Sequence, residues 1–360
     1  MEMTSRERVA CVLAGGLPDR VPHHEHFWPE AVERWHREGL PANMGAEEYF
    51  GNEFNNIGID LSLRLPGRIV EETEEYVIHW DANGVKRKDF KGKSGFTPHW
   101  LEHTIKAPED WYEYKERLVP CVERLPGNLT ELGKALEASN KFVCFSGVEP
   151  YECSWPVLGQ VGIFTWMMEY PEVVRDIFET YADLAISTFD LYLEQGGYCD
   201  GAWFWGDVGY RNSLLFSPAL YRDLLKPAHA RIVDHFKQKN LPCVLHSCGK
   251  VLEIIPDIIE EGWAALQPLE AKVDQDIREL RKEYGDVITF FGNIDVRILS
   301  LDDKAAIEEE ISSKIRIAGK NGRYIFHSDH SVPQTVSFEN YKFALEMAEK
   351  YGTYNGRPLK

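Results

Sequence analysis

From residue 108 to the C-terminus, short apolar runs alternate with longer amphipathic stretches, and this rhythm restricts the fold more than any other feature of the chain. The runs at 142–146, 202–205, 242–246, 264–267, 287–291 and 324–327 are short and rich in β-branched and aromatic residues. Such runs read as strands buried on both faces. The stretches between them carry helix punctuation. Gly196-Gly197 follows a helix over 171–195, Ser217-Pro218 opens one to residue 239, and Gly262 closes one at 261. Another helix is read over 156–168, Asp274 caps one to 283, and Ser337 caps the last, to 350. Two weaker runs at 21–26 and 59–63 bring the strands to eight. Strands alternating with helices make a parallel sheet. Eight such units in 360 residues predict an α/β fold, a (β/α)8 TIM barrel, as a single domain over 1–360. Residues 69–100 break the rhythm: Tyr76-Val-Ile-His-Trp80 and Val85-Lys-Arg-Lys88 flank Asp81-Ala-Asn-Gly84. That pattern predicts a β-hairpin excursion near the N-terminus.

A barrel of this kind places its chemistry just past the C-terminal strand ends. There the chain carries His24, Glu25 and His26 after the first strand, and Glu149 and Glu152 after the third. Asp207 follows the fourth, His246 and Cys248 end the fifth, and Gln267 and Glu270 the sixth. Asn293 and Asp295 follow the seventh, and His327, Asp329 and His330 the eighth. In an extended chain, side chains two apart point the same way. His246 and Cys248 therefore aim a ring nitrogen and a sulfur at one point, the donor types zinc prefers.

A formal charge of −18 argues against nucleic-acid or anionic-membrane partners, which select basic surfaces. No apolar run approaches the ~20 residues of a membrane helix, and no apolar segment follows the N-terminus as in a signal peptide. Seven cysteines, an odd and scattered set, do not form a disulfide framework. A cytoplasmic protein with reduced thiols is expected.

Several stretches resemble the uroporphyrinogen decarboxylase superfamily. These are Pro227-Ala-His-Ala-Arg-Ile-Val-Asp234, Leu245-His-Ser-Cys-Gly249, Gly292-Asn-Ile-Asp295, Ser328-Asp-His-Ser-Val-Pro333, Gly147-Val-Glu-Pro150 and Phe216-Ser-Pro218-Ala-Leu-Tyr221. The resemblance runs over about 141–350 and implies the same barrel. True uroporphyrinogen decarboxylases carry an N-terminal arginine- and glutamine-rich motif that grips the porphyrinogen carboxylates. Here Glu25-His26-Phe27-Trp28 stands in the corresponding region. The second branch of the superfamily holds zinc-dependent, corrinoid-linked methyltransferases with a His-x-Cys signature followed much later by a Cys. His246 and Cys248 match its first two positions, and Asp329-His330 stands where that branch has Gly-Cys.

The resemblance implies zinc held by His246, Cys248 and His330, with Asp329 as an alternative ligand or a partner to a ligand histidine. Glu149 or Glu152 is a candidate fourth ligand. It further implies a corrinoid carried by a separate protein as methyl acceptor and a small methyl donor. Trp203, Trp205 and Tyr210 are read as the wall for an aromatic methoxy substrate, with His26 and Asn293 facing it from neighbouring strand ends. Asp207 is read as a general acid. Alternative readings are a decarboxylase of a smaller substrate, or a non-catalytic member that binds a small ligand.

Overall fold

The computed structural model describes residues 2–92, 98–285, 287–354 and 359. Its strands are β1 (Phe54–Gly58), β2 (Arg68–Glu72), β3 (Tyr76–Trp80), β4 (Val85–Phe90), β5 (His99–His103), β6 (Phe142–Val148), β7 (Gly201–Trp205), β8 (Cys243–Ser247), β9 (Ala265–Pro268), β10 (Thr289–Phe291) and β11 (Tyr324–Ile325). Seven of them form one curled parallel sheet in the order β1-β6-β7-β8-β9-β10-β11. The chain around His23 touches both of its edges. Phe326 N–H donates to Pro22 O at 2.8 Å and His24 N–H to Phe326 O at 3.2 Å, while Glu53 N–H donates to His23 O at 3.3 Å. The architecture is α/β and TIM-barrel-like, with helices outside the sheet. No helix among the described residues is long and apolar enough to cross a membrane.

Strand alternation sorts the interior into two layers. Phe54, Cys144, Trp203, Val244, Ala265, Phe291 and Ile325 pack into one apolar cluster with Val9, Val12 and Leu13. The last three come from the helix Ser5–Leu13, which plugs the N-terminal end of the sheet; its N-cap Thr4 makes a capping box with Glu7. Two residues further along the strands, the same inward positions carry Trp205, His246 and Gln267 in register across β7, β8 and β9. The apolar plug thus occupies one end, and polar ligand-type groups the other. On the outer face, Phe145, Phe204, Leu245, Leu266 and Phe290 belong to a separate, larger core beneath the helices.

Several expectations are corrected. The second strand is Phe54–Gly58, not 59–63; its Phe54-Asn-Asn-Ile-Gly58 sequence lacks the apolar run that marks the other strands. The segment 21–26 contributes bridges and backbone bonds but no continuous strand. Pro156 lies inside the helix Pro150–Leu158 rather than starting one, and Gly159 separates it from Gln160–Glu169. Asp276, not Asp274, caps Ile277–Tyr284. Where the sequence predicts a two-stranded hairpin, β2 to β5 form a four-stranded antiparallel sheet. Positions 93–97 of that excursion lie outside the described residues.

Candidate metal centre

β8 ends at Ser247, and Gly249 turns the chain with φ +77°, a conformation glycine adopts without strain. His246 projects inward and Cys248 follows it on the same side. His246 Nε2 lies 3.3 Å from Cys248 Sγ and 3.4 Å from Asp207 Oδ1. Ligands on a tetrahedral zinc with bonds of ~2.0–2.3 Å are separated by roughly 3.3–3.7 Å. His246 Nδ1 faces Gln267 Oε1. That carbonyl oxygen only accepts, so Nδ1 bears a proton and Nε2 is the nitrogen turned toward the sulfur and the carboxylate, where a metal would displace any proton it carries. Asp207 Oδ1 also accepts Cys248 N–H at 2.8 Å, tying the two loops together. The donor set and its spacing fit a zinc ion.

Among the described residues, two groups of donor atoms fall within 4.8 Å of one another: Asp207, His246 and Cys248, and Cys248, Glu270 and His330. Cys248 is common to both. His330 therefore sits beside the sulfur but outside the His246 group, and the third donor grouped with His246 and Cys248 is Asp207. His330 stacks on Trp28, with ring centroids 6.2 Å apart. Glu270 is held by Gly249 N–H at 2.8 Å and by Lys272 Nζ at 2.9 Å.

Charge in the group follows from these contacts. Partial burial raises the carboxyl of Asp207, but the His246 ring and Cys248 N–H outweigh it and hold it below its ordinary value. Asp207 is therefore ionised near neutrality, which fits a ligand or anchor and not the expected general acid. Burial works to lower His246, and Asp207 more than offsets it. Burial pushes the Cys248 thiol well up, so a thiolate there requires a cation beside it. Glu152 accepts Asp207 N–H at 3.3 Å, and burial, then the Asp207 charge, raise it to about 7.

The other nominated residues divide. Trp205 is half-buried, its ring 6.4 Å from His246 and 6.2 Å from His26, and burial lowers His26 to about 4. Trp203 is fully buried in the apolar layer below; it is core, because it lies on the same face as Trp205 but two residues earlier on the strand, one layer deeper. Asn293 is also fully buried. Its Oδ1 accepts Ile277 N–H at 3.0 Å, and its Nδ2 donates to Leu269 O and Gln275 O, both at 2.5 Å. Every polar atom of that amide braces backbone, so it has none left for a substrate. Asp329 is buried outside both donor groups, with Oδ1 accepting Val296 N–H at 3.1 Å. Glu149 gives both oxygens to backbone N–H groups of the helix it caps, so it is not a free fourth ligand. Tyr210 is exposed on the rim. Gln275, which clamps the turn by accepting Val251 N–H at 2.7 Å and donating to Gly249 O at 2.9 Å, carries no signal in the sequence.

A buried relay runs inward from the site. Gln267 Nε2 donates to His327 Nε2 at 3.1 Å, and Glu25 Oε1 lies 3.1 Å from the same nitrogen. His327 Nδ1 donates to Ser328 O, so its Nε2 is a bare lone pair. A carboxylate facing it would be unfavourable, and a protonated Glu25 is favoured. Burial raises Glu25 to about 8, against bonds from Ser328 and His26 that lower it. A carboxyl with a folded value of about 8 and an ordinary value of 4.5 releases its proton on unfolding throughout that window. Its stabilising contribution is present below 4.5 and fades as pH rises through 8. Glu25→Gln is therefore expected to flatten the loss of stability between pH 5 and 8 by a few kcal/mol, read from urea midpoints. Parallel wild-type and variant curves would refute this.

Comparison with known proteins adds the following. The profile of the uroporphyrinogen decarboxylase (URO-D) family matches residues 157–351, more than half of the chain. No curated protein sequence matches. Among solved structures, a methyltransferase from Methanosarcina mazei is similar over 97% of this chain and 99% of its own, at 16% identity and a TM-score of 0.69. That likeness is one of fold. Xanthomonas albilineans dihydropteroate synthase overlaps 41% of this chain and 52% of its own, at 14% identity and a TM-score of 0.29, too low to carry an argument.

Proposed function

The chain belongs to the uroporphyrinogen decarboxylase family, and from that premise we propose that it is a zinc-dependent methyltransferase, the O-demethylase component that moves a methyl group from a small methoxylated aromatic substrate to the cobalt of a corrinoid on a separate protein. The observation that carries the reading is the spacing of His246 Nε2, Cys248 Sγ and Asp207 Oδ1 at the polar end of the sheet. Zinc held there supplies Lewis acidity toward the ether oxygen whose bond to the methyl carbon must break.

The chain's own residues prepare that position. Gln267 fixes the His246 ring and tautomer, and Asp207 pins the Cys248 backbone. Trp205 is a half-buried indole with its ring centroid 6.4 Å from that of His246, suited to an aromatic substrate. Three protein donors leave a fourth tetrahedral position open, as catalytic zinc sites require. The same fold topology in a methyltransferase supports the reading. The acidic surface and absent porphyrinogen-gripping arginines disfavour tetrapyrrole decarboxylation, and we place the activity in the cytoplasm.

The test is methyl transfer from a panel of methoxyarenes to reduced free cobalamin or a corrinoid protein, followed by the absorbance change of the cobalt. Transfer is expected from wild type, with Cys248→Ala at background. Demethylation without cobalt, or release of carbon dioxide from a carboxylated substrate, would refute the reading.

A further inference from the structure

Above Cys248 opens a cavity of about 460 Å³, within the range of small-molecule sites. Its wall holds Tyr210, Arg211, Glu270, Lys272, Val273 and Arg297. In a chain with a net charge of −18, three cations converge on one opening. Two of them have carboxylate partners that are already committed. Glu270 pairs with Lys272 at 2.9 Å while accepting Gly249 N–H, and Asp295 pairs with Arg297 at 2.6 Å while accepting Arg297 N–H. Arg211 is exposed and has no ion-pair partner among the described residues.

The loop that carries Arg211 is seated against the Cys248 turn. Lys250 N–H donates to Tyr210 O at 2.8 Å, and Tyr210 N–H to Ser213 O at 2.7 Å. A Cβ on Gly209 would stand 2.4 Å from Cys248 O, and one on Gly249 would stand 2.4 Å from Gly209 C. Glycine at both positions allows this approach, and it brings the backbone of the Arg211 loop against the Cys248 turn. Tyr210 lies beside Arg211 with its ring on the rim.

The geometry points to an anionic substrate: its carboxylate is taken by Arg211, flanked by Lys272 and Arg297, while its aromatic ring lies against Tyr210 and its other end reaches toward Cys248. The carboxylate site stands on the cavity alone; that its occupant is a methyl donor rests on the methyltransferase reading. Arg presents paired N–H donors that match a carboxylate. Lys272 and Arg297 are already paired with Glu270 and Asp295, so Arg211 is the cation of the opening left to take the anion.

Calorimetric titration with 4-methoxybenzoate and with its neutral isostere 4-methoxybenzamide tests this without any corrinoid. The anion is expected to bind ~10-fold or more tightly than the amide. Arg211→Gln should erase that preference, bringing the anion's affinity down to that of the amide, and Arg211→Lys should restore part of it. The same dependence in Cys248→Ala protein separates capture by Arg211 from capture by a metal. Equal binding of anion and amide would overturn the inference, as would an Arg211→Gln effect on KM for the corrinoid protein alone. Efficient methyl transfer from neutral methoxyarenes would sink the anion site and leave the methyltransferase reading intact. Arg211-dependent binding of the anion with no transfer would do the reverse.

Discussion

Cys248→Ala protein is expected to hold zinc at least ~10-fold more weakly than wild type and to lose it on dialysis against a mild chelator. Cys248 is the one residue shared by both donor groups, so its removal leaves neither arrangement with a sulfur. The loss should be specific to the metal. Cys248 is only partly buried at the end of a turn, and its backbone bond to Asp207 survives truncation. The choice of third ligand follows from two further variants. Asp207→Asn should weaken binding comparably, because its Oδ1 stands 3.4 Å from His246 Nε2, whereas His330→Ala should cost less. Metal content by mass spectrometry and a competitive chelator titration read all three. Full retention by Cys248→Ala would remove the metal centre. A larger loss in His330→Ala than in Asp207→Asn would reinstate the set implied by the sequence resemblance.

The difference between those two sets marks where the sequence stops being informative. Period-two alternation was enough to put His246 and Cys248 on one side, because both belong to a single strand end. Which residue completes the group depends on how neighbouring strand ends meet. The Asp207 loop is drawn over Cys248 by the Gly209–Gly249 approach, and no spacing rule encodes that. Trp203 and Trp205 share a face, as alternation requires, yet one is core and the other borders the site. Depth in the sheet is set by register with β6 and β8, which only the assembled sheet defines. The position of β1 is hidden in the sequence for a related reason. Phe54-Asn-Asn-Ile-Gly58 pairs with β6 through its backbone but carries a half-buried asparagine on each face, Asn55 and Asn56, so it lacks the apolar run that marks the later strands. Arg211 carried no signal either, since an arginine in a polar loop is ordinary until the cavity around it is known.

Glu149→Ala is expected to be the most destabilising single change outside the apolar core, at about 3–5 kcal/mol in urea unfolding. Glu149 is fully buried and meets His229 Nε2 at 3.0 Å. On the other side of that ring, Glu261 Oε2 lies 3.3 Å from Nδ1, and Tyr221 donates to Glu261 Oε1 at 2.7 Å. Burial works to discharge His229, but the two carboxylates outweigh it and raise the ring to about 9. The group is thus a buried imidazolium between two acids. Removing Glu149 leaves the His229 Nε2–H and the helix N–H groups of Tyr151 and Glu152 without an acceptor in a buried space, which is where the large penalty arises. The same residue caps the helix Pro150–Leu158 by accepting Tyr151 N–H at 2.8 Å and Glu152 N–H at 2.7 Å, so truncation also removes a cap. It fills the space over Gly206 as well, where a Cβ would meet its Cγ at 1.9 Å. The turn from Trp205 to Asp207 rests on that contact, so the variant should disturb the metal group along with stability. The sign of the pH effect follows from the raised histidine. Its contribution is fully present below its ordinary 6.5 and is lost as pH rises through about 9. Wild-type stability should therefore fall between pH 7 and 9, and Glu149→Ala should lower the whole curve and shallow that fall. A cost below about 1 kcal/mol, the level of an exposed pair, would mean that His229 is neutral and the carboxylates are held by other donors.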